Sequence, residues 1–173
     1  MNNVTLRGAT SADIPAISRL AIDGFVVKFG HLYSEENLNS FLTDSLSEAA
    51  VASDHANPAL IYQLAELDGQ LAGFAKISTK CGFPDHARGQ RAMELKQLYT
   101  DPALTGQGIG ARLMDWAMAE LAARGADEIQ LSVYAENFGA HRFYERYGFA
   151  KRADITFRVG DHIDPEFLYA RLF

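Results

Sequence analysis

Leu98-Tyr99-Thr100-Asp101-Pro102-Ala103-Leu104-Thr105-Gly106-Gln107-Gly108-Ile109-Gly110-Ala111-Arg112-Leu113 decides how the chain is read. The segment predicts a strand that stops at Asp101-Pro102, a loop with glycine at every second position, and the first turn of a long helix. Alternate glycines remove the side chains that would hold a ligand off the backbone. Their amides can then converge at the positive end of the helix. Such a place suits phosphates, a pyrophosphate best. A P-loop is excluded, because Ala111-Arg112 follows Gly110 where Lys and Ser/Thr are required. The dinucleotide fingerprint is excluded as well, since the spacing is G-x-G-x-G and the strand comes late in the chain. A glycine-rich but ordinary strand-to-helix turn is the plain alternative.

Outward from this segment the pattern alternates between strands and helices. Ile109, Leu113, Trp116, Ala117 and Leu121 recur at helical spacing until Gly125. Residues 128–134 read as a strand, and Asn137 caps a helix running to Tyr147 and closed by Gly148. Residues 151–158 and 167–172 read as two last strands with a turn at Gly160-Asp161. Upstream, residues 91–100 form the strand feeding the glycine loop, and residues 79–90 an exposed loop. Residues 60–67 and 71–78 are a hairpin through Asp68-Gly69. At the start, residues 4–7 alternate as a strand, and Thr10-Ser11-Ala12-Asp13 reads as a capping box. It opens a helix whose face carries Ile14, Ile17, Ala21 and Phe25, with Pro15 tolerated in the first turn. After a break at Gly30-His31-Leu32-Tyr33, a second helix starts at Ser34 with Glu35 and Glu36 in its first turn. Leu38, Phe41, Leu42 and Ala49 form its stripe, and residues 54–58 a loop.

The 173 residues are expected to form one domain, 1–173, with 48% hydrophobic and 22% charged residues, an ordinary globular composition. No apolar run approaches a membrane span, and Met1-Asn2-Asn3-Val4 shows no signal-peptide pattern, so the expected setting is cytoplasmic, away from membranes. The single Cys81 forbids an internal disulfide and a cysteine metal cluster, and no metal is expected. A net charge of −6 lacks the basic footprint that nucleic acid needs, and suits a cationic acceptor such as an amine.

The glycine segment resembles motif A of the GNAT superfamily of acetyl-CoA-dependent N-acetyltransferases, Arg/Gln-x-x-Gly-x-Gly/Ala, here Thr105-Gly106-Gln107-Gly108-Ile109-Gly110. Residues 137–149, Asn137-Phe138-Gly139-Ala140-His141-Arg142-Phe143-Tyr144-Glu145-Arg146-Tyr147-Gly148-Phe149, resemble its motif B, Asn-x-x-Ala-x-x-Phe-Tyr-x-x-x-Gly-Phe. The likeness runs from Val4 to the C-terminus and is strongest over 94–149. Thr105 departs from the pattern, standing where Arg or Gln is usual, which leaves more of the pyrophosphate contact to backbone amides and Arg112. The resemblance implies an α/β GNAT-like (acyl-CoA N-acyltransferase) fold: a mixed six- to seven-stranded sheet with helices on both faces. It also implies acetyl-CoA (coenzyme A) as cofactor. Leu98, Tyr99, Thr100, Thr105, Gly106, Gln107, Gly108, Ile109, Gly110, Ala111, Arg112, Asn137, Ala140, Phe143 and Tyr144 are the corresponding cofactor-binding positions.

Acetyl transfer from a thioester to an amine requires the amine to lose a proton and the departing thiolate to gain one. The resemblance places a base at Glu94. By the period of two, Glu94, Lys96, Leu98 and Thr100 share one strand face. The plain reading of Glu94 is an exposed strand-end carboxylate paired with a lysine; Lys96 stands where relatives carry a second Glu. The resemblance makes Tyr144 the general acid near the sulfur, while Ala140, Phe143, Tyr144 and Tyr147 also form a core-like helical stripe. Asn137 resembles the residue touching the pantetheine arm and is equally an N-cap. Backbone groups of Leu98 and Thr100 resemble the edge that pairs with pantetheine and polarises the acetyl carbonyl. Phe29, His31, Tyr33 and the loop 80–90, with His86, are where such folds place acceptor contacts. Residues 157–161 and 168–172, with Tyr33, Leu38 and Phe41, resemble the polyamine-acetylating branch. The expected acceptor is thus a small-molecule primary amine, polyamine-like or amino-acid-like. The alternatives are a protein N-terminus or lysine, or a CoA-binding module without turnover. Family members pair as dimers, so a homodimer is an expectation with no interface marked in the sequence.

Overall fold

The structure is a computed structural model describing residues 3–173; Met1 and Asn2, part of the segment read for a targeting signal, lie outside the described residues. Among the described residues seven strands build one sheet: β1 (Val4–Gly8), β2 (Leu60–Leu67), β3 (Gln70–Ser78), β4 (Ala92–Thr100), β5 (Glu128–Tyr134), β6 (Ala150–Val159) and β7 (His162–Leu172). Their order is β1-β2-β3-β4-β5-β7-β6. Neighbours run antiparallel except β4 and β5, which are parallel and pair only over Ala92–Glu94 and Glu128–Gln130. Both strands continue beyond these pairs, so the sheet opens there. Asp68 and Gly69 make the β2–β3 turn at positive φ, 52° and 80°, which their residue types tolerate.

Helices cover both faces. α1 (Ile14–Phe29), α2 (Glu35–Phe41) and α3 (Glu48–Ala56) pack on one, burying Ile17, Phe25 and Val51 against Leu64 and Phe74. α4 (Ile109–Ala123) and α5 (Phe138–Arg146) cover the other, where Leu113, Met114 and Leu121 meet Ile77 and Ile129. Each fully buried side chain of this kind contributes about 1.5–3 kcal/mol relative to exposure. No helix among the described residues is long and apolar enough to cross a membrane.

Four readings are corrected. The second helix is not continuous: after α2 the chain makes a π-helical turn, Leu42–Leu46, and α3 restarts at Ser47, whose hydroxyl accepts the Ala50 amide. A new N-cap takes over, so Leu46 and Val51 are buried while Ala49 is exposed. Residues 54–56, read as loop, belong to α3. β7 begins at His162 rather than 167. Pro165 argues against a strand in sequence, but it lies beyond the last β5 pair, Tyr134 with Glu166, where its carbonyl accepts the Ala135 amide at 3.0 Å and its missing N–H leaves no β5 ladder bond unmade. Finally, Ile77 pairs with Leu95 and Lys76 with Gln97, leaving Lys96 as a β-bulge. The extra residue shifts the alternation, so Leu95 and Leu98 both face α4 and Tyr99 faces α1. Glu94 therefore does not share a face with Leu98 and Thr100.

The closed end of the β4–β5 pair is pinned by Glu128, which has no exposed surface. Its carboxylate accepts the Arg88 and Gly89 amides, each at 2.6 Å, and the Arg152 guanidinium at 2.9 Å. Burial opposes the charge, but the two amides and Arg152 outweigh it and hold the carboxyl below the usual range. That contribution is complete above the ordinary glutamate range and disappears as pH falls through the depressed folded value. Glu128→Gln leaves Arg152 without its partner, and should cost about 3 kcal/mol at neutral pH. The deficit should shrink in acid, where wild type protonates too; thermal melts of both proteins across pH check this, and equal melting temperatures at pH 7 would refute it.

Candidate active site

The opening between β4 and β5 is the floor of a cleft of ≈ 920 Å³ that reaches both faces of the sheet. On the α4 side, Asp101 starts the turn as its side chain accepts the Ala103 amide at 2.9 Å. Gly106 and Gly108 have φ of 78° and 75°, and a Cβ on either would meet nothing within 4 Å. Both are glycines because of backbone conformation, and the space above them is open. Gly108 is the N-cap of α4, whose first helical bond runs from the Arg112 amide to the Gly108 carbonyl at 3.0 Å. The amides of Ile109, Gly110 and Ala111 therefore have no helical acceptors. Ile109 buries its side chain in the core, so only its backbone is available here. Gly110 approaches Thr100, whose methyl lies 3.7 Å from the position of an added Cβ. Thr105 lines the cleft and Arg112 is exposed on the first turn.

The β4 edge follows from its pairing. The Asp101 amide donates to Ala72 on β3 at 2.8 Å. Backbone groups alternate sides along a strand, so those of Thr100 and Leu98 point into the opening toward β5. Tyr99 is turned the other way: its backbone points to β3, and its ring stacks on Phe74 and lies against Gly24 of α1.

α5 supplies the opposite wall. Asn137 caps it, accepting the Ala140 amide at 3.3 Å, and both residues line the cleft with Tyr144. Tyr144 and Tyr147 separate clearly. The Tyr147 hydroxyl donates to the Ala111 carbonyl at 3.1 Å and Asp115 at 3.0 Å, tying α5 to α4. The Tyr144 ring packs on Phe143 and Phe149, and its half-buried phenol, without such partners, is pushed up to about 12 by desolvation. Phe143 lies outside the cleft lining, packed on Tyr144 and Tyr147.

Glu94 stands on the α1 side at the closed end of the opening. It is buried at 5% exposure rather than exposed, and its lysine is present: Lys96 Nζ lies 3.3 Å away. Burial raises its carboxyl, while Lys96 and Lys76 pull the other way. Gly82 closes over it, since a Cβ there would sit 2.2 Å from Glu94 Oε2. Of the expected acceptor positions, Phe29 and Phe83 line the cleft, and His31 lines a smaller neighbouring pocket. The Tyr33 hydroxyl donates to Asp164, His86 lends its carbonyl to Arg152, and the Cys81 thiol donates to Gln130 at 3.2 Å. Ser132 and Glu166, hydrogen-bonded across β5 and β7, also line the cleft and were missed. The alternation Asp164-x-Glu166-x-Leu168 carried the signal; Pro165 hid it.

Residues 19–149 match the Acetyltransferase (GNAT) family, and the chain belongs to it. It is 30% identical, over 92% of its length and 97% of the relative's, to an uncharacterized N-acetyltransferase of Mycobacterium bovis. An aminoalkylphosphonate N-acetyltransferase of Salmonella typhimurium is 34% identical over 57% of this chain and 62% of that one. In fold it is similar to the PaiA N-acetyltransferase of Thermoplasma acidophilum in complex with coenzyme A, with a TM-score of 0.78, 20% identity and 99% of each chain covered. The protein is an N-acetyltransferase that uses acetyl-CoA.

Gly108→Val puts a branched side chain at φ 75°, at a backbone cost of about 1–3 kcal/mol, and into the open space over the loop. The expected result is a folded protein whose acetyl-CoA affinity by calorimetry falls at least tenfold. Unchanged affinity would remove the phosphate role of this loop.

Proposed function

We propose that the chain acts as a single catalytic domain that acetylates a primary amine of a small, polyamine-like or amino-acid-like molecule. The observation that carries this is the position of Glu94, a desolvated carboxylate on the α1 face where β4 and β5 part. Acetyl-CoA supplies an activated acyl group as a thioester. In this reading the amides of 106–111, with Arg112, hold the pyrophosphate, while Asn137, Ala140 and the Leu98–Thr100 edge hold the pantetheine arm. The same edge orients the acyl carbonyl. The acceptor enters from the α1 face as an ammonium, pKa ~10.4 for the lysine type, and Glu94 takes its proton directly or through water. Tyr144 keeps its proton at every working pH and directs it at the sulfur. Release of free thiol from acetyl-CoA with a panel of amines and N-terminal peptides tests the reading. A panel in which no amine exceeds water would sink it in favour of a binding module.

Glu94 acts deprotonated, so wild-type turnover should climb with pH through its raised carboxyl value. Glu94→Gln should lose that limb, with turnover down about 10²-fold near neutrality. Higher pH should partly restore it, as more acceptor arrives as free amine. A mutant profile parallel to wild type would make Glu94 structural.

Tyr144→Phe keeps the ring and its packing. Folding and acetyl-CoA affinity should persist while kcat falls on the order of 10²-fold. A donor with a more acidic thiol should narrow the gap. Turnover within a few-fold of wild type would leave Tyr144 a core residue.

A further inference from the structure

The α1 side of the cleft holds a second carboxylate, Glu166, on the wall opposite β4. β7 reaches this wall because it extends to His162, placing Glu166 beside Tyr134 on β5 and one step from Ser132. Ser132 donates its hydroxyl to Glu166, and Asp164 precedes it on the same strand. Asp164 is occupied: it accepts the Tyr33 hydroxyl and pairs with His162 at 3.0 Å. Among the described residues no Lys, Arg or His pairs with Glu166. Desolvation, with Asp164 nearby, raises its carboxyl, and its charge is felt by the Tyr99 phenol across the cleft.

The cleft's other charges are largely spoken for. Lys76 binds Asp54 at 2.6 Å, and Lys96 binds Glu94. Lys28 lies over the Phe29 ring, 5.9 Å from its centroid, and Asp44 stands exposed on the π-helical turn. Tyr99, Phe29 and Phe157 supply apolar wall in the same cleft as the two carboxylates. A partly buried carboxylate with a hydroxyl donor but no cation is electrostatically incomplete, and an ammonium that keeps its charge completes it. The reacting nitrogen cannot be that group, because it must become neutral to attack.

We propose that Glu166 is a specificity-determining residue that binds a second ammonium of the acceptor, so that the enzyme prefers α,ω-diamines to monoamines of equal length. Ser132 orients the carboxylate, and the aromatic walls pack the methylene chain. This rests on the acetyltransferase reading above, but it has a readout without turnover.

The test compares 1,5-diaminopentane, n-pentylamine and 5-aminopentanoate as acceptors, and measures diamine binding to the CoA-saturated protein by calorimetry. Wild type should favour the diamine. Glu166→Gln should raise KM for the diamine at least tenfold, leave the KM for n-pentylamine and both kcat values within about threefold, and abolish the calorimetric preference. Ser132→Ala, which keeps the carboxylate, should shift the same KM in the same direction by less, and covers the case of a Glu166 variant that fails to fold. An unchanged ratio of diamine to monoamine KM in both variants overturns the proposal. So does a wild-type preference for 5-aminopentanoate, which would assign the acceptor's far end to Lys28. Glu166-dependent diamine binding without thiol release upholds the proposal and removes the catalytic reading. Amine acetylation with no diamine advantage does the reverse.

Discussion

Three residues of parallel pairing carry the architecture of the site. β4 and β5 hold together at Ala92–Glu94 and Glu128–Gln130 and then part, although both run on. An opening in mid-sheet is costly unless each strand is fixed elsewhere, because exposed edge groups lose their partners. β4 is fixed by β3 and β5 by β7 along nearly its whole length. At the closed end, Glu128 gathers the Arg88 and Gly89 amides and Arg152 around one buried charge. The loop 79–91 is thus tied to β5 and β6 at the closed end of the short ladder, opposite the end where divergence begins. The sheet can stay open because its hinge is over-determined.

The bulge at Lys96 turns that opening into two compartments. Without it, β4 would present Glu94, Leu98 and Thr100 to one side and put the carboxylate on the α4 face with them. With it, Leu98 and Thr100 serve the α4 face while Glu94 and the Tyr99 ring belong to the α1 face. In the proposed arrangement, donor and acceptor would approach the same gap from opposite faces. The one-residue slip is what puts Glu94 on the face opposite Leu98, only four positions away.

Much of the scaffold was legible because local signals agreed with the global pattern. Asp68-Gly69, Asn137, Gly125 and Gly148 mark turns and caps that the structure has, and Thr105, Asn137, Ala140 and Tyr144 of the two motifs line one cleft. What escaped was set by pairing rather than by local pattern. A bulge leaves alternation in the sequence intact while breaking it in space. The early start of β7 was masked by Pro165, whose cost in a strand depends on which neighbour it faces. Both omissions bear on function, since one set the face of Glu94 and the other hid Glu166. The roles of Tyr144 and Tyr147, equivalent on a helical wheel, separate only through the partners of their hydroxyls.

The raised Tyr144 phenol constrains the kind of help it can give. At about 12 it lies well above an ordinary thiol at ~8.5, so complete transfer of its proton to a free thiolate would be uphill. The same desolvation that raises the phenol also raises a thiolate placed beside it, because both anions lose water in one pocket. The difference that matters is therefore smaller than the solution values suggest. Under the proposed role, a short, charge-assisted hydrogen bond would form first and the proton would cross only as the sulfur takes its full charge. Packing on Phe143 and Phe149 is then compatible with the chemical role proposed for Tyr144. That packing contributes to the desolvation that raises the phenol, and the proposed role needs a phenol that stays protonated until the sulfur takes charge.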